Sequence, residues 1–490
     1  MTHFTRRISA ICLYLLPMFI FLGWFVSCKP PENNEVMLRF STPNVNFDTV
    51  FTSVGSVTKR FTVRNTSNQE IATTIFLAGK SSSFYSINVD GEDGVFFKKV
   101  VIPKKDSIFI HVKVNIDPKN QNNPFLVTDS IVFLTGSRMQ DVKLLAYGQD
   151  ARYIVADKEK GYKVVAGLPI DPDTGEETGY TQEVTWTKER PYVIYGWAVI
   201  DSACSLTIEP GTKIYCHHKS GLWAYRYSYL EVNGTKDEPV LFRGDRLEKW
   251  YDDDFAQWSG IWINEGADAE INNAIITNAK TGVQINPLVT KKEITVTPNS
   301  LVKIKNTIIK NTEQCGVWSM FLNLEMTNCV IANNGASSLQ LEGGKYTMKH
   351  LTIVNNYTPK TERKAPTCYV SNLVSAYSAE QDLLFDVDAK FTNCIIVGKN
   401  DTEAAVNKKG GASLSASFQN CLLKAKEHSE YFSDCFRNDD PKFEDKNKLD
   451  FRLQTGSKAI GNGKPNIGVL EDILGNIRKN PPDIGAYESQ

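Results

Sequence analysis

"FTNCIIVGKN", residues 391–400, sets an Asn-Cys pair directly before two bulky apolar residues. The same pattern returns as Asn328-Cys329-Val330-Ile331 and as Asn420-Cys421-Leu422-Leu423. Looser copies stand at Asn273-Ala274-Ile275-Ile276 and Asn306-Thr307-Ile308-Ile309, and Lys349-His350-Leu351-Thr352-Ile353 fits the register less well. The asparagines are separated by 33, 22, 65 and 27 residues, and 65 is close to three times 22. A period near 22 is short for helical repeats and suits one coil of a parallel β-helix. Strands of successive coils stack about 4.8 Å apart, so equivalent side chains form ladders along the axis. The pattern predicts that pairs such as Val330/Ile331, Ile395/Ile396 and Leu422/Leu423 fill a continuous core. It gives Asn a turn position, bonding its own coil and the next, and turns the small Cys inward. Cys394 and Cys421 fall on adjacent coils, within disulfide reach, although stacked parallel side chains point the same way and disfavour the bond.

At 490 residues the chain exceeds one ordinary core, so two domains or an elongated repeat are expected. Its 55 basic and 56 acidic residues leave a formal charge of -1, which gives no electrostatic case for nucleic acid or an anionic membrane surface. Frequent aromatic, Asn, Thr, Ser and Gly residues suit a β-rich, turn-rich protein.

At the N-terminus, Arg6 and Arg7 precede an apolar tract from Ile8 to Val26, and Cys28 follows. A retained membrane helix is one reading, since about 19 apolar residues reach across a bilayer. Phe25-Val26-Ser27-Cys28 resembles the lipobox of bacterial lipoproteins, with Phe where Leu is usual. The resemblance implies a signal peptide over 1–27, diacylated Cys28 as the new N-terminus, and an outer-membrane, cell-envelope location. Two acyl chains anchor a protein firmly. Lys29 follows where an Asp would retain many lipoproteins at the inner membrane. Of ten cysteines, Cys12 leaves with the signal and Cys28 carries lipid; no pair has CxxC spacing, so redox chemistry is not expected.

A linker over 28–36 leads to residues 37–150, where short alternating runs such as Ile108-Phe109-Ile110-His111-Val112-Lys113-Val114 are separated by turn formers. Period two at this spacing argues a β-sandwich. Phe47-Asp48-Thr49-Val50-Phe51 through Asn65, with Phe84 and Asp106-Ser107-Ile108, resembles the immunoglobulin-like domains of exported Bacteroidetes lipoproteins, which implies a spacer or interaction module.

After a linker and N-cap over 151–190, the β-helix is expected over 191–490. Leu206-Thr207-Ile208-Glu209-Pro210-Gly211-Thr212-Lys213-Ile214 resembles the opening coils of secreted β-helix proteins. Asp440-Pro441-Lys442-Phe443, Asp450-Phe451-Arg452-Leu453 and Asp483-Ile484-Gly485-Ala486-Tyr487-Glu488 resemble the tail closing pectate-lyase-like right-handed β-helices of Bacteroidetes. The expected fold is all-β: an immunoglobulin-like sandwich followed by a right-handed parallel β-helix.

That fold hosts lyases, hydrolases, esterases and adhesins, so the site must decide function. Lyases of this shape imply calcium-binding carboxylates beside an Arg or Lys base; the nearest material is Arg243-Gly244-Asp245-Arg246 and the run Asp252-Asp253-Asp254. The run could take calcium if other oxygens converge, although such runs are more often solvated loops. No motif requires a cofactor. Asp439, Asp440 and Glu444 could form an inverting pair, but Asp440 matches the tail motif, and the Gly-His-Gly of this fold's hydrolases is absent from the sequence. Adjacent His217 and His218 would point to opposite strand faces and serve one metal poorly. His350 reads as a packed core histidine. Trp223, Tyr225, Tyr227 and Tyr229 alternate, placing them on one strand face near Trp250 and Trp258; they form a glycan-stacking platform or pack against a cap or the first domain. Asp48-Thr49-Val50, Asp106-Ser107-Ile108, Asp129-Ser130-Ile131 and Asp201-Ser202-Ala203 resemble Bacteroidetes O-glycosylation acceptors. Three functions stay open: non-catalytic binding of a glycan or surface, with polysaccharide a candidate partner, a polysaccharide lyase or glycoside hydrolase, and an adhesin-like stalk.

Overall fold

The computed structural model describes residues 37–52, 56–117, 125–168, 182–288, 300–356, 363–374 and 383–490. Cys28 and the apolar tract before it lie outside the described residues. Among the described residues, no helix is long and apolar enough to cross a membrane. The chain divides at Gln149/Asp150 into two compact units.

The first unit is a sandwich of two five-stranded sheets. Period-two alternation builds it: in strand Ser107–Val114, Ile108, Ile110, Val112 and Val114 are buried while the residues between them are not. That strand pairs antiparallel with Lys59–Arg64 and Tyr85–Val89. In the other sheet Phe125–Thr135 and Arg138–Gln149 form a long antiparallel pair, and Asn44–Phe51 adds in parallel. Phe47, Phe61, Ile75 and Phe133 meet in the core, and His111 stands between the inward residues, opposite Arg60 and Asn88.

The second unit is a parallel β-helix. Each coil but the last supplies one strand to each of three parallel sheets, which among the described residues hold eleven, nine and ten strands and are called here sheets 1, 2 and 3 in the order the chain visits them. Past Asn407 only sheets 1 and 3 continue. Parallel strands joined by such crossovers take the right-handed sense. The first coil already includes Arg152–Val155, Tyr162–Ala166 and Glu183–Trp186, each paired in parallel with the next coil. The described strands within 151–190, a stretch expected as linker and cap, thus belong to the first coil.

The corner from sheet 3 to sheet 1 explains the repeat. Asn273, Asn306, Asn328, His350, Asn393 and Asn420 each make it in one left-handed residue, with φ between +49° and +57°. Asn tolerates that conformation better than most residues. Each backbone N–H in this column donates to a carbonyl of the next coil. The side chains form their own ladder: Asn328 Nδ2 donates to Asn306 Oδ1 at 3.2 Å, and Asn306 Nδ2 to Asn272 Oδ1 at 3.1 Å.

The residues after Asn then alternate. Cys329, Cys394 and Cys421 face the core and are thiols. Cys394 and Cys421 do stack on adjacent coils, with the Cys394 amide 3.4 Å from Cys421 Sγ. Of the apolar pairs, only the second residue enters the main core: Ile331, Ile353, Ile396 and Leu423. The first faces outward, which corrects the expectation that both fill the core. Val330 packs with Phe451, Ile473 and Ala486, and Ile395 and Leu422 pack with Leu453, Ala459 and Ile484. The C-terminal tail therefore folds back and seals the outer face of sheet 1. A strand covered on both faces needs apolar residues on both, hence the doublets.

Candidate functional site

The three sheets offer different outer faces. Sheet 1 is sealed by the tail over its C-terminal half. Sheet 3 carries a charged column in which Glu231, Glu270, Lys303 and Glu325 stack coil on coil, with Lys303 Nζ 2.6 Å from Glu270. Sheet 2 carries aromatic and amide side chains.

The sheet 2 column follows from strand register. Trp223 in Gly221–Ala224 stacks on Trp262 in Gly260–Ile263, and Trp262 is followed by Gln284, Trp318, Gln340 and Tyr369 on successive coils. All six side chains are half-buried. The Trp223 and Trp262 rings lie 4.7 Å apart at 14°, and Trp197 meets both edge-on. Glycine opens these strands at 221, 260, 282 and 316. At Gly260, φ is +125° and a Cβ would lie 1.8 Å from the Thr281 carbonyl oxygen, so no other residue fits.

Each aromatic is fastened to the following coil. Trp223 Nε1 donates to Asn264 Oδ1 at 2.6 Å, Trp262 Nε1 to Asn286 Oδ1 at 2.6 Å, and Trp318 Nε1 to Glu342 Oε2 at 3.0 Å. Tyr369 OH accepts from Asn407 Nδ2 at 2.9 Å. The glutamines use the same anchors: Gln284 Nε2 donates to Asn286 Oδ1 at 3.0 Å and Gln340 Nε2 to Glu342 Oε1 at 2.9 Å. Glu342 is 2% exposed. Burial pushes its carboxyl pKa up, against the pull of the Trp318 and Gln340 hydrogen bonds. Both carboxylate oxygens are thus engaged in holding the ladder.

The expected platform is redistributed. Trp223 belongs to the ladder, with Tyr225 edge-on to it at 5.6 Å. Tyr227 lies in a left-handed turn at φ 61°, its ring over Gly266, and Tyr229 begins a strand of sheet 3. The four residues therefore do not share a strand face, because the chain turns a corner between Ala224 and Tyr229. Trp258, at 1% exposure, is a core residue that stacks near Phe242 and donates to the Thr277 carbonyl at 2.8 Å. Trp250 is 62% exposed on a short 3-10 turn, Lys249–Tyr251. Sequence reading missed Trp262, Gln284, Trp318, Gln340 and Tyr369. The signal was present as Gly221-Leu222-Trp223, Gly260-Ile261-Trp262, Gly282-Val283-Gln284 and Gly316-Val317-Trp318, at coil spacing.

The acidic run is tied into the fold. Asp252 pairs with Arg243 at 3.1 Å, Asp253 Oδ1 accepts from Asn311 Nδ2 at 3.1 Å, and Asn278 Nδ2 donates to the carbonyls of Asp252 and Asp254. Among the described residues no group of three or more His, Cys, Asp or Glu side chains is arranged to hold a metal. His217 Nδ1 lies 2.7 Å from Asp245 on the next coil, and its ring is 4.8 Å from that of Tyr195. His350 is fully buried: Nδ1 donates to the Gly485 carbonyl at 3.2 Å, and Nε2 accepts from Asn393 Nδ2 at 3.1 Å. Burial first, then the Arg478 charge, lowers its pKa to about 3.

Residues 198–372 match the family described as "Right handed beta helix region", a stretch that contains the ladder from Trp223 to Tyr369. No curated protein matches the chain. Among solved structures, the chain is similar to the catalytic domain of a GH87 alpha-1,3-glucanase in complex with nigerose, at 10% identity and TM-score 0.14, over 77% of this chain and 91% of that one. A family 123 glycoside hydrolase from Clostridium perfringens is similar at 10% identity and TM-score 0.17, over 24% of this chain and 26% of that one. A protein of unknown function from Porphyromonas gingivalis W83 is similar at 10% identity and TM-score 0.17, over 26% and 57%. The chain thus spans about a quarter of the clostridial hydrolase's length.

Proposed function

We propose that this is a lipid-anchored cell-envelope protein, carried on Cys28, that binds a polysaccharide along the outer face of sheet 2 without cleaving it. The observation that supports the reading is the stacked, hydrogen-bonded column of Trp223, Trp262, Gln284, Trp318, Gln340 and Tyr369. Half-buried aromatics with adjacent amides present apolar surface and hydrogen-bonding groups together, which is what sugar rings require. Anchoring by the next coil removes rotamer freedom before a ligand arrives, so less entropy is lost on binding. The carboxylate within the ladder, Glu342, serves as scaffold, which favours recognition over acid–base chemistry.

The test is a polysaccharide array probed with the full chain in detergent, with calcium and with chelator, followed by a search for cleavage products. Binding that weakens about tenfold or more in Trp262→Ala and Trp318→Ala, without products, is the expected result. Products would replace this reading with a lyase or hydrolase. Silence on every polysaccharide would leave a stalk.

A further inference from the structure

From Trp262 onward the ladder alternates: aromatic Trp262, amide Gln284, aromatic Trp318, amide Gln340, aromatic Tyr369. The neighbouring anchor column keeps the same beat. From Asn286 onward Asn286, Glu342 and Asn407 are the anchors, with Met320 and Ser371 on the coils between, while Asn264, the anchor of Trp223, stands on the coil directly before Asn286. In both complete units, an indole of one coil and a carboxamide of the next converge on one side chain of that second coil: Asn286 for Trp262 and Gln284, Glu342 for Trp318 and Gln340. The packing of a β-helix asks only for equivalence between adjacent coils. Two hydrogen-bonded columns repeating together every second coil exceed that requirement. Their common period is twice the strand spacing, about 9.6 Å.

We infer that the ligand of this face is an extended, linear polysaccharide with a two-sugar repeat, lying along the helix axis in register with the two-coil units. This rests on the polysaccharide reading of the ladder above. In a chain whose successive sugars are turned by half a revolution, the same sugar face recurs at every second ring. One sugar of each repeat sets its C–H face against an aromatic of the ladder, and the other meets a glutamine amide with its hydroxyl or acetamido groups. A helical or branched polymer cannot keep that register over two units. Trp223 next to Trp262 breaks the alternation and marks one end of the matched stretch.

The decisive variant exchanges neighbours, Trp318→Gln with Gln340→Trp, which preserves composition and moves one aromatic by a single coil. Thermal melting and far-UV circular dichroism confirm that it folds, and Trp318→Phe serves as the milder companion should the exchange fail to fold. Binding is measured against oligosaccharides of increasing length cut from an alternating β-linked polymer. The expected result is affinity that rises in steps of two sugars, about a tenfold loss in the exchanged protein, and a smaller loss in Trp318→Phe. Equal gains for odd and even lengths, with the exchange tolerated while Trp262→Ala and Trp318→Ala still weaken binding, would overturn the two-sugar register and leave the polysaccharide reading standing. Absence of binding to every polymer would overturn both.

Discussion

His350 takes the place of Asn in a column of left-handed corner residues, and that choice makes the β-helix acid-sensitive. Its Nδ1 proton goes to the Gly485 carbonyl and its Nε2 accepts from Asn393, so the folded ring is held neutral. Its pKa falls from the ordinary 6.5 to about 3, chiefly by burial and then by Arg478. The unfolded chain therefore binds a proton near pH 6.5 that the folded chain refuses until about pH 3. The stabilisation is complete above pH 6.5 and is lost as pH falls through that window, by about 1.4 kcal/mol per pH unit. Between pH 6.5 and 4.5 the loss amounts to about 2–3 kcal/mol. Glu342 and Glu488, whose carboxyl pKa values are raised by burial, act with the opposite sign, so wild-type pH dependence alone does not isolate the histidine. The perturbation is His350→Asn, which restores the residue used elsewhere in the column and removes the titration. Urea unfolding followed by tryptophan fluorescence reads the right unit, since every tryptophan except Trp24 lies beyond Gln149. The expected result is a midpoint that falls more steeply with acid in wild type than in the variant. Parallel curves between pH 6.5 and 4.5 would refute the reasoning, whatever the variant's stability at neutral pH.

Glu403→Gln should cost about 3–5 kcal/mol in urea unfolding, because it strands Arg363, whose Nη2 lies 2.6 Å from the Glu403 carboxylate in a pair 3% and 0% exposed. The same carboxylate accepts from the Thr367 and Asn400 amides, so a loss below about 1 kcal/mol would contradict its structural role. Gly260→Ala places a Cβ against the Thr281 carbonyl and should abolish soluble expression, whereas Gly410→Ala meets nothing within 4 Å and should express normally. Cys315 and Cys329 have their thiols pushed up to about 12 by burial. Site-resolved mass spectrometry should find both unmodified by iodoacetamide at pH 8 in the native chain and modified after unfolding.

The corner residues were legible because a left-handed turn restricts chemistry: Asn273, Asn306, Asn328, Asn393 and Asn420 reveal the coil. The inward ladder was legible too. What the sequence did not yield was the second side of sheet 1, since Val330 and Ile331 are equally apolar and only the returning tail distinguishes them. The same gap hid the ladder. Trp223-Ala224-Tyr225-Arg226-Tyr227-Ser228-Tyr229 alternates like one strand, yet a left-handed Tyr227 turns it into a corner. Local period two cannot register such a corner, and residues 22 to 39 apart in the chain become neighbours only once the coils are aligned. Sequence reading therefore found Trp223 and placed the buried Trp258 beside it.

Register converts these observations into a preference among faces. In every coil the inward residues are set by the common core, so selection for function is free to act only on the outward columns. In sheet 1 that freedom is spent on the tail: Val330, Ile395 and Leu422 are covered by residues between Phe451 and Ala486. In sheet 3 it goes to solvated charges such as Glu270 and Lys303, which contribute little to stability and offer no apolar surface to a neutral ligand. Among the described residues sheet 2 alone combines aromatic carbon, amides and rotational locking, at Trp262, Gln284 and Trp318. Locking is the informative part. A column needed only for packing could leave each indole N–H to water, yet Asn264, Asn286 and Glu342, all buried, are supplied to receive them. Buried acceptors cost free energy unless they are satisfied, so a fold that places one opposite each indole is holding the rings at a fixed pitch, and a fixed pitch matters most to a ligand that repeats.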